Sequence, residues 1–147
     1  MARSAPTLRI DLAAATPAYE QIVGGLRTLL VAGKFEPGDQ LPTVRQLAVD
    51  LSVHHNTVAE AYRMLAAEGW LDLKRGRGAI VLGRRAPEPS AESKEKFGQN
   101  LRELVAKAIT DGVPGTAIAS LMANQAKELE SRPAMRSVTR ERVREKP

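Results

Sequence analysis

Residues 43–68 read "TVRQLAVDLSVHHNTVAEAYRMLAAE". Val44, Leu47, Ala48 and Leu51 recur at helical spacing, and so do Val58, Ala61, Tyr62 and Leu65. Only the short link at Ser52–Val53 separates the two stripes. Two helices joined so tightly must cross steeply, as they do over the roughly three- or four-residue turn of a helix-turn-helix. Thr43 opens the first of them with Gln46 three positions on, the spacing of a capping box. The second runs from about His55 to Glu68 and is closed by Gly69.

The flanks complete the motif. In "PAYEQIVGGLRTLLVAGKF", Tyr19, Ile22, Val23, Leu26, Leu29 and Leu30 form another helical stripe. Pro17 suits its first turn and Gly33 its end. The pair Gly24–Gly25 costs roughly 1 kcal/mol per residue relative to Ala, and we expect close helix packing there. "EPGDQLP" reads as a turn segment. Downstream, "WLDLKRGRGAIVL" reads as two short strands, Trp70–Lys74 and Ala79–Leu82, around Arg75-Gly76-Arg77-Gly78. Trp70 is expected in the core where helix meets strand. Three helices followed by a two-stranded wing spell a winged helix-turn-helix.

Composition narrows the chemistry. There is no cysteine, so disulfides and thiolate metal sites are excluded, and a reducing, cytoplasmic setting is expected. The N-terminus carries no apolar core of signal-peptide length, and no stretch approaches the ~18 apolar residues of a membrane span. No HExxH, nucleophile elbow or phosphate loop occurs. We therefore expect neither an enzyme nor a bound cofactor. Charge is uneven. Residues 1–85 hold 11 basic and 8 acidic side chains, residues 86–131 hold 5 and 7, and residues 132–147 hold 6 and 2. Basic ends around an acidic middle suit a polyanionic partner at the ends.

If Val58, Ala61, Tyr62 and Leu65 face the core, then His55, Asn56, Ala59, Glu60 and Arg63 face outward. In this fold the N-terminal end of the third helix enters the major groove of double-stranded DNA. Its unpaired backbone N–H groups favour phosphate. Asn56 can pair with adenine, and Thr57 can bond a phosphate or a base edge. Arg45 is placed to reach the backbone or a guanine. Arg75 and Arg77, beside Gly76, can ride a wing tip into a minor groove. His54 and His55 are the only histidines, and adjacent residues diverge on a helix, so a metal site lacks its ligands. DNA contact and plain exposure at the helix start remain the two readings for them.

The stretch "PGDQLPTVRQLAVDLSVHHNTVAEAYRMLAAEGWLDLKRGRGAIV" resembles the DNA-binding domain of GntR-family bacterial transcription regulators. Pro37-Gly38, Leu41-Pro42, Arg45, Leu47-Ala48, Leu51, Val53, Thr57-Val58, Ala61, Leu65, Glu68-Gly69 and Gly76-x-Gly78 carry the resemblance over about 45 residues. Asn56-Thr57-Val58 with Ala61-Tyr62 points to the short YtrA-like subfamily. The likeness runs firmly over residues 7–82 and loosely over 93–131. It implies a DNA-binding domain with a small helical dimerisation domain; with the geometry above, the expected DNA contacts are Thr43, Arg45, His54, His55, Asn56, Thr57, Arg63, Arg75, Gly76 and Arg77. With 147 residues, the family's aminotransferase-bearing subgroup is not expected. Three positions depart from the pattern. His54-His55 replace a common Asn-Pro, which removes a small polar cap and a first-turn proline. Ser52 stands where glycine is frequent, and Ala59 where some members carry another DNA-contacting arginine.

Beyond a linker at 84–92, residues 93–131 make two helices broken at Asp111-Gly112-Val113-Pro114. So small a hairpin cannot bury enough apolar surface alone. Its stripes need a partner, either the winged domain of the same chain or, more simply, a second copy, and Phe97, Leu101, Leu104, Val105, Ile109, Ile118, Leu121 and Met122 are the expected dimerisation face. The expected class is therefore α+β: a winged helix-turn-helix over residues 1–83, a small all-α dimerisation hairpin over 93–131, and a basic tail at 132–147 expected to be solvated or disordered. The expected function is a homodimeric, sequence-specific regulator, most simply a repressor on a palindromic operator. Two rivals are a sensor gated by an unknown small-molecule effector held in the C-terminal helices, and a winged-helix protein-interaction module.

Overall fold

The computed structural model describes residues 8–74 and 78–130; Arg75, Gly76, Arg77 and the basic tail 132–147 lie outside the described residues. The chain divides into two compact units, with the division between Arg84 and Arg85. The first holds α1 (Ala18–Val31), α2 (Val44–Leu51), α3 (His55–Ala67), β1 (Leu71–Lys74) and β2 (Gly78–Val81). The second holds α4 (Ala91–Thr110) and α5 (Gly115–Glu130).

The core of the first unit is the set of stripes read from the sequence. Ile22, Val23, Leu26 and Leu30 of α1 meet Leu47 and Ala48 of α2 and Val58, Ala61, Tyr62 and Leu65 of α3. Helix α3 is the hub, packed on α1, α2 and β1. Trp70 is buried beside Leu71, Ala79 and Val81. Pro17 sits one place earlier than expected, at the cap, with an extended ψ of 145°. Gly33, at φ 68°, turns the chain out of α1. There the Gly33 and Lys34 N–H groups donate to the carbonyls of Leu30 and Leu29, satisfying acceptors that a helix end leaves open.

The glycine pair behaves differently from expectation. A Cβ on Gly24 would meet nothing, whereas one on Gly25 would lie 2.2 Å from Leu8 Cδ1. The close approach is made by the N-terminal segment, not by another helix. Gln21 fastens that segment: its side-chain amide donates to the carbonyls of Asp11 (2.8 Å) and Thr16 (2.9 Å) and accepts from the Asp11 N–H (2.8 Å).

The wing is antiparallel, with Leu71 opposite Val81 and Lys74 opposite Gly78. "EPGDQLP" is more than a turn. Gln40 bridges Ile80, the Gly38 N–H donates to the Val81 carbonyl (2.8 Å), and the Leu41 N–H donates to that of Ala79 (2.9 Å). This segment therefore borders β2 and delivers the buried Leu41 to the core. The unit is closed at its exit by Arg84, whose Nε donates to the Glu68 carbonyl (2.8 Å) while its guanidinium lies 5.0 Å from the centre of the Trp70 ring.

In the second unit, Ser90 caps α4 by accepting from the Ser93 N–H (3.0 Å). Gly112, at φ 89°, makes the break before α5. Neither helix contains a buried residue. Phe97, Leu104, Ile109 and Leu121 are 61, 65, 57 and 58 % exposed, while Leu101, Val105, Ile118 and Met122 are half-buried. No helix among the described residues is long and apolar enough to cross a membrane.

Candidate nucleic-acid interface

The site is built on the entry to α3. Thr43 caps α2 by accepting from the Gln46 N–H (3.1 Å), as the capping-box spacing predicts. Helix α2 ends at Ser52, a non-glycine residue in the left-handed region at φ 56°, ψ 43°. That conformation crowds Cβ against the following carbonyl and is normally left to glycine, yet here it turns the chain within the short link. The Val53 N–H closes the turn onto the Ala48 carbonyl (3.0 Å). A hydrogen bond from the Tyr62 hydroxyl to the Pro42 carbonyl ties the middle of α3 to the residue before the α2 cap.

The first turn of α3 departs from the reading of its N-terminus as a set of free donors. His54 is the cap residue, at φ −69°, ψ 143°. Its Nδ1 accepts from the Asn56 N–H (3.2 Å) and its carbonyl from the Thr57 N–H (3.0 Å). The small polar cap missing from the sequence is supplied by an imidazole, so these two N–H groups are already paired. Fewer backbone donors at this end are therefore left for an anion.

Outward on α3, His55, Asn56, Glu60 and Arg63 are exposed, and Thr57 and Ala59 are half-buried. Two open grooves flank this face. One, of about 530 Å³, gathers Arg45, Val49, His54 and His55. The other, of about 280 Å³, gathers Thr43, Ala59, Arg63, Leu73 and Lys74. The expected contacts thus fall into two groups, with Asn56 and Thr57 on the helix turn itself. The wing-tip trio lies outside the described residues. Val49 and Lys74 were not read as site residues. Val49 is 78 % exposed and stands four residues after Arg45, so helical spacing alone could have flagged it. The rings of His54 and His55 lie 4.2 Å apart between centroids, tilted by 30°.

Two packed helices joined by a short turn and followed by a two-stranded wing, with basic side chains on both sides of an exposed helix start, are the build of a winged helix-turn-helix DNA-binding protein. Residues 18–81 match the family described as bacterial regulatory proteins, gntR family. The HTH-type transcriptional repressor YtrA of Bacillus subtilis (strain 168) is 36% identical over 107 residues, covering 72% of this chain and 82% of that protein. Among solved structures, YtrA from Sulfolobus acidocaldarius, a GntR-family transcription factor, is 31% identical, with a TM-score of 0.50 over 70% of this chain and 97% of that one. A transcriptional antiterminator from Listeria monocytogenes EGD-e, at 23% identity, shares the fold, with a TM-score of 0.68 over 86% of this chain and 94% of that one. The chain belongs to the GntR family of bacterial regulatory proteins and is a DNA-binding transcription regulator, not an enzyme.

Proposed function

We propose that this regulator acts in the cytoplasm as a homodimeric repressor that occludes a promoter by occupying a two-fold operator. The observation that carries the dimer is the absence of any buried residue in α4 and α5, whose apolar side chains line both helices. Such a face needs a partner surface, and a second copy supplies one while presenting two α3 helices to a palindromic site. The B. subtilis relative is named a repressor, which supports the sign of regulation.

Within each protomer, residues 1–83 bind DNA and residues 93–131 dimerise. Asn56 reads a base edge, supported by Thr57, His55 and Arg63. Arg45 holds the backbone, and Thr43 and His54 are among the groups near DNA. Arg75, Gly76 and Arg77 reach a minor groove, and the tail at 132–147 adds nonspecific attraction. Sedimentation velocity at micromolar concentration tests the assembly. Leu104→Asp places a charge in the seam and costs about 3–5 kcal/mol, so the variant sediments as a monomer. A variant that remains dimeric moves the interface elsewhere.

A further inference from the structure

His54 stands at the entry to α3, among the groups expected near DNA. Its geometry says more. One residue closes both the Asn56 and the Thr57 N–H groups, through Nδ1 (3.2 Å) and through its carbonyl (3.0 Å). An imidazole nitrogen that accepts an N–H carries no proton, and in the neutral ring the proton then resides on the other nitrogen. His54 is therefore held with Nδ1 as acceptor and Nε2–H as donor. It lines the groove that also holds Arg45 and His55, and its ring stacks against that of His55.

We propose that His54 is the positioning residue of the recognition helix, fixing the turn from which Asn56 reads DNA and, through that same bond, turning its Nε2–H into a donor for a backbone phosphate oxygen beside Arg45. The inference rests on the DNA-binding reading above. The two roles are physically linked. A cap residue sets where the first turn begins, so the direction in which Asn56 leaves the helix depends on it. A donor whose tautomer is already fixed makes no rearrangement when the phosphate arrives.

Two substitutions separate the roles. His54→Ala removes the cap acceptor and the donor. His54→Asn restores a strong cap acceptor on a side chain too short to replace the imidazole across the groove. The probe is a duplex selected by the wild-type protein from a random pool, with a scrambled duplex as control. His54→Ala is expected to bind the selected duplex about tenfold more weakly, with reduced preference over the scrambled one. His54→Asn is expected to recover the preference while binding both duplexes a few-fold more weakly than wild type. Nitrogen-15 NMR of the free full-length protein should show the Nε2–H tautomer at His54 and a hydrogen-bonded Asn56 amide. Unchanged preference in His54→Ala, unrestored preference in His54→Asn, or an Nδ1–H tautomer each overturns the proposal. A wild-type protein that selects no duplex refutes the functional reading instead, and the NMR measurement still decides whether His54 is the cap.

Discussion

The Tyr62 hydroxyl donates a 2.6 Å hydrogen bond to the main-chain carbonyl of Pro42, twenty residues earlier in the chain. Burial pushes the ionisation of Tyr62 well above the usual phenol range, so it remains a donor at any pH the protein meets. Tyr62→Phe leaves a part-buried carbonyl without this donor and should cost about 1–2 kcal/mol. Denaturant unfolding should show a lower midpoint with an unchanged slope.

Arg27 and Glu68 join the ends of α1 and α3 through paired contacts, one of them Arg27 Nε to Glu68 Oε2 at 3.1 Å. The hydrogen bond from Arg27, with its charge and that of Arg84, holds the Glu68 carboxyl below the ordinary carboxylate range. The resulting stabilisation is present above the unfolded carboxylate's pKa and is lost as pH falls through the lower folded one. Both side chains are substantially exposed, so solvent screens the pair to about 0.5 kcal/mol. Melting temperatures of wild type and Glu68→Gln should differ slightly at neutral pH and converge in acid. A gap that persists in acid would place the stabilisation elsewhere.

Ser52 pays for its left-handed turn. The conformation costs an L-residue roughly 1–2 kcal/mol, and glycine recovers that while losing about 0.5–1 kcal/mol of chain entropy. Ser52→Gly should therefore raise stability by about 0.5–1 kcal/mol, seen as a higher melting temperature. Ser52→Val should lower it.

Asn56 is exposed on the first turn of α3. Asn56→Ala should weaken binding to a selected duplex by about 1–3 kcal/mol and relax selectivity at one position. Competition binding with selected and scrambled duplexes checks this, and equal losses on both would remove Asn56 from base reading.

The helical core was legible because burial and period coincide there. Val58, Ala61, Tyr62 and Leu65 repeat at 3–4 residue spacing, and all four are buried. Thr43 was legible because a hydroxyl cap with a residue of the right type three places on is a local signal. The rung at Gly38–Leu41 was not, because so short a pairing between two helices shows no alternation and draws its bonds from residues some forty positions away. Leu8 escaped because its partner is the bare backbone of Gly25, a contact without a hydrophobic pattern. At the site, Arg45 and the histidines could be named but not grouped. That Arg45 shares one groove with them while Arg63 shares the other with Lys74 depends on the turn at Ser52. From the sequence His54 reads as a DNA contact or a merely exposed residue, and its service as a helix cap is hidden because imidazoles seldom fill that position.

The bare flanks of α4 and α5 carry a consequence for dosage. On the dimer reading, the free energy that holds this hairpin together is drawn from association, so it scales with the logarithm of how many copies share the compartment. Below the concentration at which half the chains are paired, the abundance of the DNA-competent form rises as the square of the free monomer. A modest fall in synthesis then empties the operator more than proportionally, and the gene control acquires a threshold without any further ligand.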